Sequence, residues 1–279
     1  MLDRVIGLLV DAATGRMRVQ PGWERLEAMA LVGQHIGMGG YVCSSGEERY
    51  LAAFLLASEL QRPLVVLDVG ANRGDFTAAL LGAAAAKGVH CRVIAFEPSD
   101  SAFGALEKRF ASHGDVRLVK AAVGDRPGTT QLHYDRPGSE LASIYKRRLD
   151  HFGISFEDGE AVNMIDLASF CVDEKIRCID LLKIDVEGSE LSVLEGASPL
   201  MRTGAIGVIQ FEFGGCNIDS RTFFQDFWYK LSELYDVYRM VRNGLWPIPA
   251  YEERLERFTT TNYVAILRGG SADRPSECL

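Results

Sequence analysis

The chain has 279 residues, enough for one large domain with an appended segment. Its hydrophobic content of 47% and charged content of 24% are typical of a globular protein. The formal net charge of −8 argues against nucleic acid as a partner, because phosphate binding needs clustered Lys and Arg.

The cysteines and the apolar runs indicate the setting of the protein. Six cysteines are present and none belongs to a C-x-x-C pair, which predicts free thiols in a reducing cytoplasm. No signal peptide is expected, since the chain starts with a short apolar stretch that contains Asp3. The run of small apolar residues at 78–86 is too short to span a bilayer. We therefore expect a cytoplasmic protein without a membrane span, and a homodimer is left open.

Residues 1–60 are predicted to form a helical segment that caps the rest of the chain. Residues 23–32 and 47–60 carry apolar side chains at helical spacing, and the glycine-rich residues 33–40 between them predict a flexible loop. Pro63 marks entry into a second domain, which we expect to cover residues 61–268. The polar residues 269–279 are expected to form a flexible C-terminal tail.

Residues 64–74 have the pattern of a buried strand followed by a glycine-containing turn that opens a helix. The apolar run shows no alternation, as expected when both faces of a strand are covered. Gly70 and Gly74 are expected to let the backbone approach a ligand closely, since a Cβ would fill that space. The next predicted strand ends at Glu97, where a carboxylate can accept both hydroxyls of a ribose. This pattern is typical of an open α/β sheet that binds a nucleoside-bearing cofactor.

The same turn distinguishes two classes of cofactor. A nicotinamide site usually has the pattern G-x-G-x-x-G, because the pyrophosphate lies against bare backbone at a helix N-terminus. Here only Gly-x-x-x-Gly is present, and Asp68 precedes the first glycine by two residues. An acid at that position suits a cationic amino group better than a diphosphate, so the turn favours S-adenosylmethionine over NAD.

The rest of the chain alternates predicted strands and helices, which favours a doubly wound α/β sheet with ligands at the carboxyl ends of its strands. Residues 129–134 predict a hairpin at a sheet edge, followed by a long irregular connection over 135–161. The basic residues 146–148 are interpreted as a solvated helix face, and residues 246–249 as a loop. Further strands are predicted at residues 116–123, 179–184, 205–211, 237–241 and 263–267.

Acidic residues follow four of the predicted strands, at the edge where a ligand would lie: Asp68, Glu97, Asp185 and Glu212. Glu187 follows Asp185 by two residues, so these two carboxylates can point the same way. Several acids at one edge repel each other unless a cation, a proton or a ligand hydroxyl is present. Mg²⁺ suits such oxygen ligands, but without a patterned aspartate pair or a nearby histidine we expect no metal.

Five segments in chain order carry a resemblance to a known family: LDVGANRGDF, VIAFEPSD, DLLKIDVEGSELSVLEGA, IQFEFG and TTNYVAIL. They resemble the FkbM family of S-adenosylmethionine-dependent methyltransferases, and the block at residues 183–190 is the most distinctive of them. The resemblance covers residues 64–267 and implies a seven-stranded, Rossmann-like class I methyltransferase sheet. It also implies methyl transfer to a hydroxyl, commonly on a sugar or a natural product.

The resemblance further implies roles for individual positions. It places Asp68, Gly70 and Asn72 at the methionine end of the cofactor. Glu97 and Pro98 would contact the ribose, and Ala122 and Val123 would border the adenine. Ser143 lies where the family has small or hydroxyl residues, and we keep it as a substrate contact. Some members carry E-x-H on the fifth strand, where this chain has Glu212-Phe213-Gly214, so no histidine base is expected there.

We expect a substrate hydroxyl to attack the sulfonium methyl in line, while the protein supplies alignment and a proton acceptor. Asp185 is the first candidate for that acceptor, because it follows the strand beside the cofactor and borders the cofactor itself. Glu187 and Glu212 would orient hydroxyls of a small-molecule or glycan acceptor, or replace Asp185 as the base. Two alternatives stay open: a nicotinamide-dependent oxidoreductase on a similar sheet, and a catalytically silent S-adenosylmethionine-binding module.

The glycine turn predicts that S-adenosylmethionine and its demethylated product bind to the chain and that NAD does not. Isothermal titration calorimetry of the purified protein with S-adenosylhomocysteine and with NAD measures the difference. Tight NAD binding, together with no heat from S-adenosylhomocysteine, would overturn the assignment of the cofactor class.

Overall fold

The computed structural model describes residues 14–57, 62–269 and Cys278. Residues 58–60 of the second predicted helix, and the predicted tail apart from residues 269 and 278, lie outside this part of the chain. Within it the strands are β1 (Leu64–Val69), β2 (Cys91–Phe96), β3 (Val116–Val119), β4 (Ala122–Val123), β5 (Gly128–Tyr134), β6 (Asp158–Ile165), β7 (Ile179–Ile184), β8 (Ile206–Phe213), β9 (Tyr235–Val241), β10 (Gly244–Ile248) and β11 (Thr261–Leu267).

Helices alternate with these strands. The α-helices in the described residues are Gln20–Gly33, Val42–Ser45, Glu47–Ala57, Asp75–Lys87, Asp100–Phe110, Leu167–Asp173, Glu190–Gly196, Ser198–Arg202, Cys216–Ser220 and Phe224–Leu231. Short 3-10 turns lie at Met17–Val19, Asp150–Phe152 and Glu253–Leu255. In the part of the chain that the structure describes, no helix has the length and apolar character needed to cross a membrane.

The main sheet confirms the predicted doubly wound α/β class. Its strand order is β10-β9-β11-β8-β7-β1-β2-β3. Strands β3, β2, β1, β7 and β8 run parallel, and β11 lies antiparallel between β8 and β9. The carboxyl ends of the parallel strands therefore meet at one edge, where Asp68 and Glu212 lie in the last residues of β1 and β8, and Glu97 and Asp185 follow β2 and β7.

The sheet has eight strands instead of the predicted seven, because residues 246–249, interpreted as a loop, contribute to β10. Pro247 suggested a loop, since proline cannot donate a hydrogen bond to a neighbouring strand. In the structure Pro247 lies opposite Tyr238 on an outermost strand, where one side of the backbone has no neighbour and proline is tolerated.

The predicted hairpin forms a separate small sheet and does not extend the main one. The chain leaves the main sheet after Val119, so the strand predicted at residues 116–123 divides into β3 and β4. Strand β4 pairs parallel to β6, and β5 pairs antiparallel to β6, in a three-stranded sheet of order β4-β6-β5. This sheet borders the carboxyl edge of the main sheet from the side of β3.

The helix Glu47–Ala57 packs against the sheet and contributes to its core. Leu51 and Leu55 are buried and belong to the same apolar cluster as Leu64 and Val66 of β1 and Phe76 of the following helix. Burial of apolar surface stabilises a fold by about 25 cal/mol per Å². This part of the N-terminal segment therefore shares a core with the strands that it precedes.

The prediction that all cysteines are free thiols was wrong for Cys178 and Cys278, which form a disulfide across a sequence separation of 100. Cys278 returns to the residue just before β7, and their Cα atoms lie 5.4 Å apart. The Arg62 guanidinium donates to the Cys278 carbonyl at 2.9 Å and to both carboxylate oxygens of Asp180. Because the two cysteines are 100 residues apart, no spacing motif in the sequence indicates that they pair. The other four cysteines, at positions 43, 91, 171 and 216, are free.

Truncation of Leu51 to alanine should destabilise the protein, because the side chain is fully buried against β1. The expected loss in free energy of unfolding is about 2–5 kcal/mol, measured by urea denaturation. Leu56→Ala in the same helix is the matched control, since Leu56 is 66% exposed. Equal stability of the two variants would contradict the packing of this helix on the sheet.

Candidate active site

A cavity of about 630 Å³ lies over the carboxyl ends of the central parallel strands. Residues 39–43 of the N-terminal segment close one side of it. Nine of the predicted site residues line this cavity together: Gly70, Asn72, Glu97, Pro98, Ala122, Val123, Asp185, Glu187 and Glu212. Two others, Asp68 and Ser143, are fully buried and lie outside its lining.

The glycines after β1 are required by the packing of the protein itself. Gly70 has a φ of 81°, and a Cβ there would lie 1.8 Å from the Asp185 carbonyl oxygen. Gly74 has a φ of 83°, and its Cβ would lie 2.4 Å from the Phe110 ring. We expected these glycines to make room for a ligand; the structure shows instead that a Cβ would collide with protein atoms. Gly70 thereby brings the turn after β1 against the end of β7.

Glu97 is held at the end of β2 by two backbone N–H groups. Asn72 donates to Oε2 and Ser99 donates to Oε1, both at 2.9 Å. Burial raises the pKa of Glu97 to about 7, although these two hydrogen bonds act in the opposite direction. The carboxylate keeps further lone pairs for a ligand. Beside it, Asn72 Oδ1 is buried and accepts no hydrogen bond from the described residues.

Lys183 lies between two acids at the centre of the sheet. Its Nζ is 3.0 Å from Asp185 Oδ2 and 4.0 Å from Asp68 Oδ1. Burial lowers the pKa of Lys183, but the carboxylates of Asp185, Asp68 and Glu47 raise it more, so the ammonium stays charged. Asp68 accepts a hydrogen bond from the Thr77 hydroxyl at 2.6 Å, and burial raises the pKa of Asp68. Asp68 therefore lies below the cavity lining and helps to position the Lys183 ammonium.

The interpretation of residues 146–148 as a solvated helix face was wrong for Arg147. These residues are not helical, and Arg147 is 9% exposed. Its Nη1 donates to Glu187 Oε2, and its Nε lies 3.8 Å from Asp219 Oδ2. Ser143 binds the same residue through the backbone, since its hydroxyl donates to the Glu187 carbonyl at 2.7 Å. The long connection is thus fastened over the end of β7.

Three carboxylates converge at the end of the cavity beside β7 and β8. One carboxylate oxygen each from Asp185, Glu187 and Glu212 lies within 4.8 Å of the others. Burial, together with the charge of Asp185, raises the pKa of Glu187 to about 8, although Arg147 lowers it. Burial and the neighbouring carboxylates raise the pKa of Glu212 well above its ordinary value. This end of the cavity favours a ligand that brings positive charge or hydroxyl donors.

Glu190 is a buried acid whose structural role was not anticipated. Its Oε1 accepts hydrogen bonds from the backbone of Gly188 at 2.9 Å and of Val186 at 3.2 Å. Burial raises the pKa of Glu190 to about 7. These bonds fix the turn that holds Glu187, which has a φ of 54° in the left-handed region. The only sequence sign was its place in the distinctive block at residues 183–190.

Comparison with known proteins assigns this arrangement to a family. The profile of the methyltransferase FkbM domain matches residues 68–238, which include the ends of β1, β2, β7 and β8. The chain belongs to the FkbM methyltransferase family. This membership confirms the resemblance, and the matched segment contains most of the residues that line the cavity.

Two curated relatives match part of the length of this chain. The 2-O-methyltransferase NoeI of Sinorhizobium fredii (strain NBRC 101917 / NGR234) is 25% identical over 151 residues, which cover 50% of this chain and 60% of NoeI. The methyltransferase sdnD of Sordaria araneosa is 29% identical over 157 residues, which cover 47% of this chain and 59% of sdnD. The matched segments thus span less than two thirds of either relative.

Among solved structures that are similar to this chain is a methyltransferase FkbM from Methylobacillus flagellatus KT. It aligns with a TM-score of 0.43 and 19% identity, over 77% of this chain and 47% of that chain.

The raised pKa of Glu97 makes stability depend on pH in the ligand-free protein. Its folded value of about 7 exceeds the ordinary value of 4.5, so the folded state holds the proton more tightly. The contribution is present below the unfolded pKa and is lost as the pH rises toward 7. We expect the free energy of unfolding to fall by about 1.4 kcal/mol per pH unit from this group over that window.

Urea denaturation at several pH values from about 5 to about 7 measures this slope in the wild type and in Glu97→Gln. The variant should lack the contribution of Glu97, so its stability should fall less steeply. Parallel slopes in the two proteins would contradict a buried Glu97 with a raised pKa.

Proposed function

We propose that this protein transfers the methyl group of S-adenosylmethionine to a hydroxyl of a sugar, a glycan or a glycosylated natural product. The observation that carries the proposal is the single cavity that joins Glu97 at one end to Asp185, Glu187 and Glu212 at the other. Family membership supports methyl transfer as the reaction. The relative NoeI is a 2-O-methyltransferase, which supports oxygen as the methylated atom.

The residues around Glu97 fit the cofactor. The Glu97 carboxylate has lone pairs for the two ribose hydroxyls, and Ala122 and Val123 offer an apolar surface for the adenine. The buried Asn72 Oδ1 lacks a donor among the described residues and suits the ammonium of the methionine moiety. When bound, S-adenosylmethionine supplies a methyl group activated by a positively charged sulfur.

Asp185 is the proposed proton acceptor. Its side chain is 34% exposed and lines the cavity, so an acceptor hydroxyl can reach it. Lys183 holds one carboxylate oxygen at 3.0 Å, and no hydrogen bond within the described residues engages the other. Glu187 is bound by Arg147, and Glu212 is 8% exposed. These two acids are therefore better placed to orient acceptor hydroxyls by accepting hydrogen bonds.

We also propose that residues 1–60 act as a cap on the methyltransferase domain at residues 61–268. Residues 39–43, with Glu47 and Glu48, line the cavity together with the residues of the sheet. Asn262 of β11 donates to the Gly39 carbonyl at 3.5 Å, which links this segment to the sheet. The cap and the connection over residues 135–157 would then select the acceptor.

Incubation of the purified protein with methyl-labelled S-adenosylmethionine and a panel of sugars, glycans and glycosylated metabolites tests the function. Transfer of label to an acceptor oxygen, located by mass spectrometry, is the expected result. Binding of the cofactor without turnover on any acceptor class would favour a silent binding module. Oxidation of an acceptor with NAD would instead favour an oxidoreductase.

Asp185→Asn should lower kcat by about 10²–10⁴-fold, the usual cost of losing acid–base catalysis, while cofactor affinity stays nearly unchanged. Asparagine keeps the shape of the side chain but accepts a proton poorly. Glu187→Gln and Glu212→Gln should act mainly through KM, because these acids orient the acceptor. Steady-state kinetics of the three variants give the ranking.

The ranking is informative because neighbouring carboxylates can shift each other's pKa and replace one another. If Asp185→Asn keeps a near wild-type kcat while Glu187→Gln or Glu212→Gln loses it, the proton acceptor lies at that other position.

A further inference from the structure

Glu212 is a buried acid for which the fold supplies no partner. Its side chain is 8% exposed, and within the described residues it makes neither a hydrogen bond nor an ion pair. Its carboxylate nevertheless lines the cavity and lies among the oxygens of Asp185 and Glu187. A buried carboxylate is costly unless it is paired, protonated or bound to a metal. This orphaned group points toward a ligand inside the cavity.

The other two acids each keep an oxygen available beside Glu212. Lys183 binds Oδ2 of Asp185, and Arg147 binds Oε2 of Glu187. In the described part of the chain, no hydrogen bond or ion pair engages the remaining oxygen of either residue. Basic groups that hold one oxygen of a ligating carboxylate orient the other toward an ion. The cavity thus presents oxygens from three carboxylates. The positive charges of Lys183 and Arg147 neutralise only part of their negative charge.

The separation of these oxygens fits a hard divalent cation. Two ligands of one ion lie apart by at most twice the metal–oxygen distance, about 5 Å for Ca²⁺ and about 4.2 Å for Mg²⁺. The three oxygens lie within 4.8 Å of one another. They therefore suit Ca²⁺ as they stand and Mg²⁺ after a small contraction. A neutral amide side chain, Asn262, lies opposite Glu212 in the strand register and lines the same cavity.

We propose that Asp185, Glu187 and Glu212 bind one divalent cation, Ca²⁺ or Mg²⁺, at the acceptor end of the cavity. This revises the expectation of no metal, which rested on the lack of a nearby histidine and of a patterned aspartate pair. The binding site itself does not depend on the proposed function. Its role rests on the proposed function: the ion would hold the acceptor's oxygens, and the second lone pair of the ligating Asp185 oxygen would accept the hydroxyl proton.

The test uses the full chain after removal of metal with a chelating resin, without cofactor or acceptor. Isothermal titration calorimetry with CaCl₂ and with MgCl₂ should show one ion per chain, with a Kd below about 1 mM for at least one of them. Glu212→Gln should weaken binding by at least about tenfold, because it removes a charged ligand and keeps the shape. Glu174→Gln, which alters a half-buried acid that is paired with Arg117 and lies outside the cavity lining, should bind like the wild type.

Circular dichroism checks that Glu212→Gln is folded, and Glu187→Gln gives a second arm if it is not. The proposal is overturned if neither salt binds to the wild type at millimolar concentration. It is also overturned if folded Glu212→Gln or Glu187→Gln binds the ion with unchanged affinity. Calorimetry and circular dichroism do not depend on turnover. A failure to detect methyl transfer would therefore not change the conclusion about cation binding.

Discussion

The site depends on the ion pairs of Lys183, whose buried ammonium lies in the middle of the sheet between Asp68 and Asp185. Strand register sets Asp68 of β1 on one side of Lys183 and Gln210 of β8 on the other. Gln210 donates to Glu47, which ties the N-terminal segment to the same polar row. Because β7 is buried along its whole length, this ammonium is shielded from water and interacts strongly with the acids around it. Its positive charge offsets part of the repulsion between the carboxylates and part of the cost of burying them.

The glycine turn, the strand that ends at Glu97 and the acids at the carboxyl ends of β7 and β8 could be predicted from the residues. Parallel strands bring their carboxyl ends to one edge, so side chains distant in sequence meet there without any knowledge of packing. The same logic could not find Arg147, because a basic run in a long connection has no periodicity that shows which member is buried. Nor could it find the Cys178–Cys278 disulfide, since a sequence separation of 100 leaves no local signal.

The division of the predicted strand at residues 116–123 shows a similar limit. Its apolar pattern continues across β3 and β4, but the partner changes from β2 to β6. Propensity describes whether a residue suits a strand, whereas the choice of partner depends on the path of the whole chain. The consequence for function is direct, because β4 carries Ala122 and Val123 to the wall of the cavity.

The central claim is that one cavity holds the cofactor at Glu97 and presents its reactive end to the acids at the carboxyl ends of β7 and β8. A crystal structure of the complex with S-adenosylhomocysteine tests this most directly. The account predicts that both ribose hydroxyls donate to Glu97 and that the sulfur faces Asp185. A ribose bound away from Glu97, or a sulfur turned away from Asp185, Glu187 and Glu212, would contradict it.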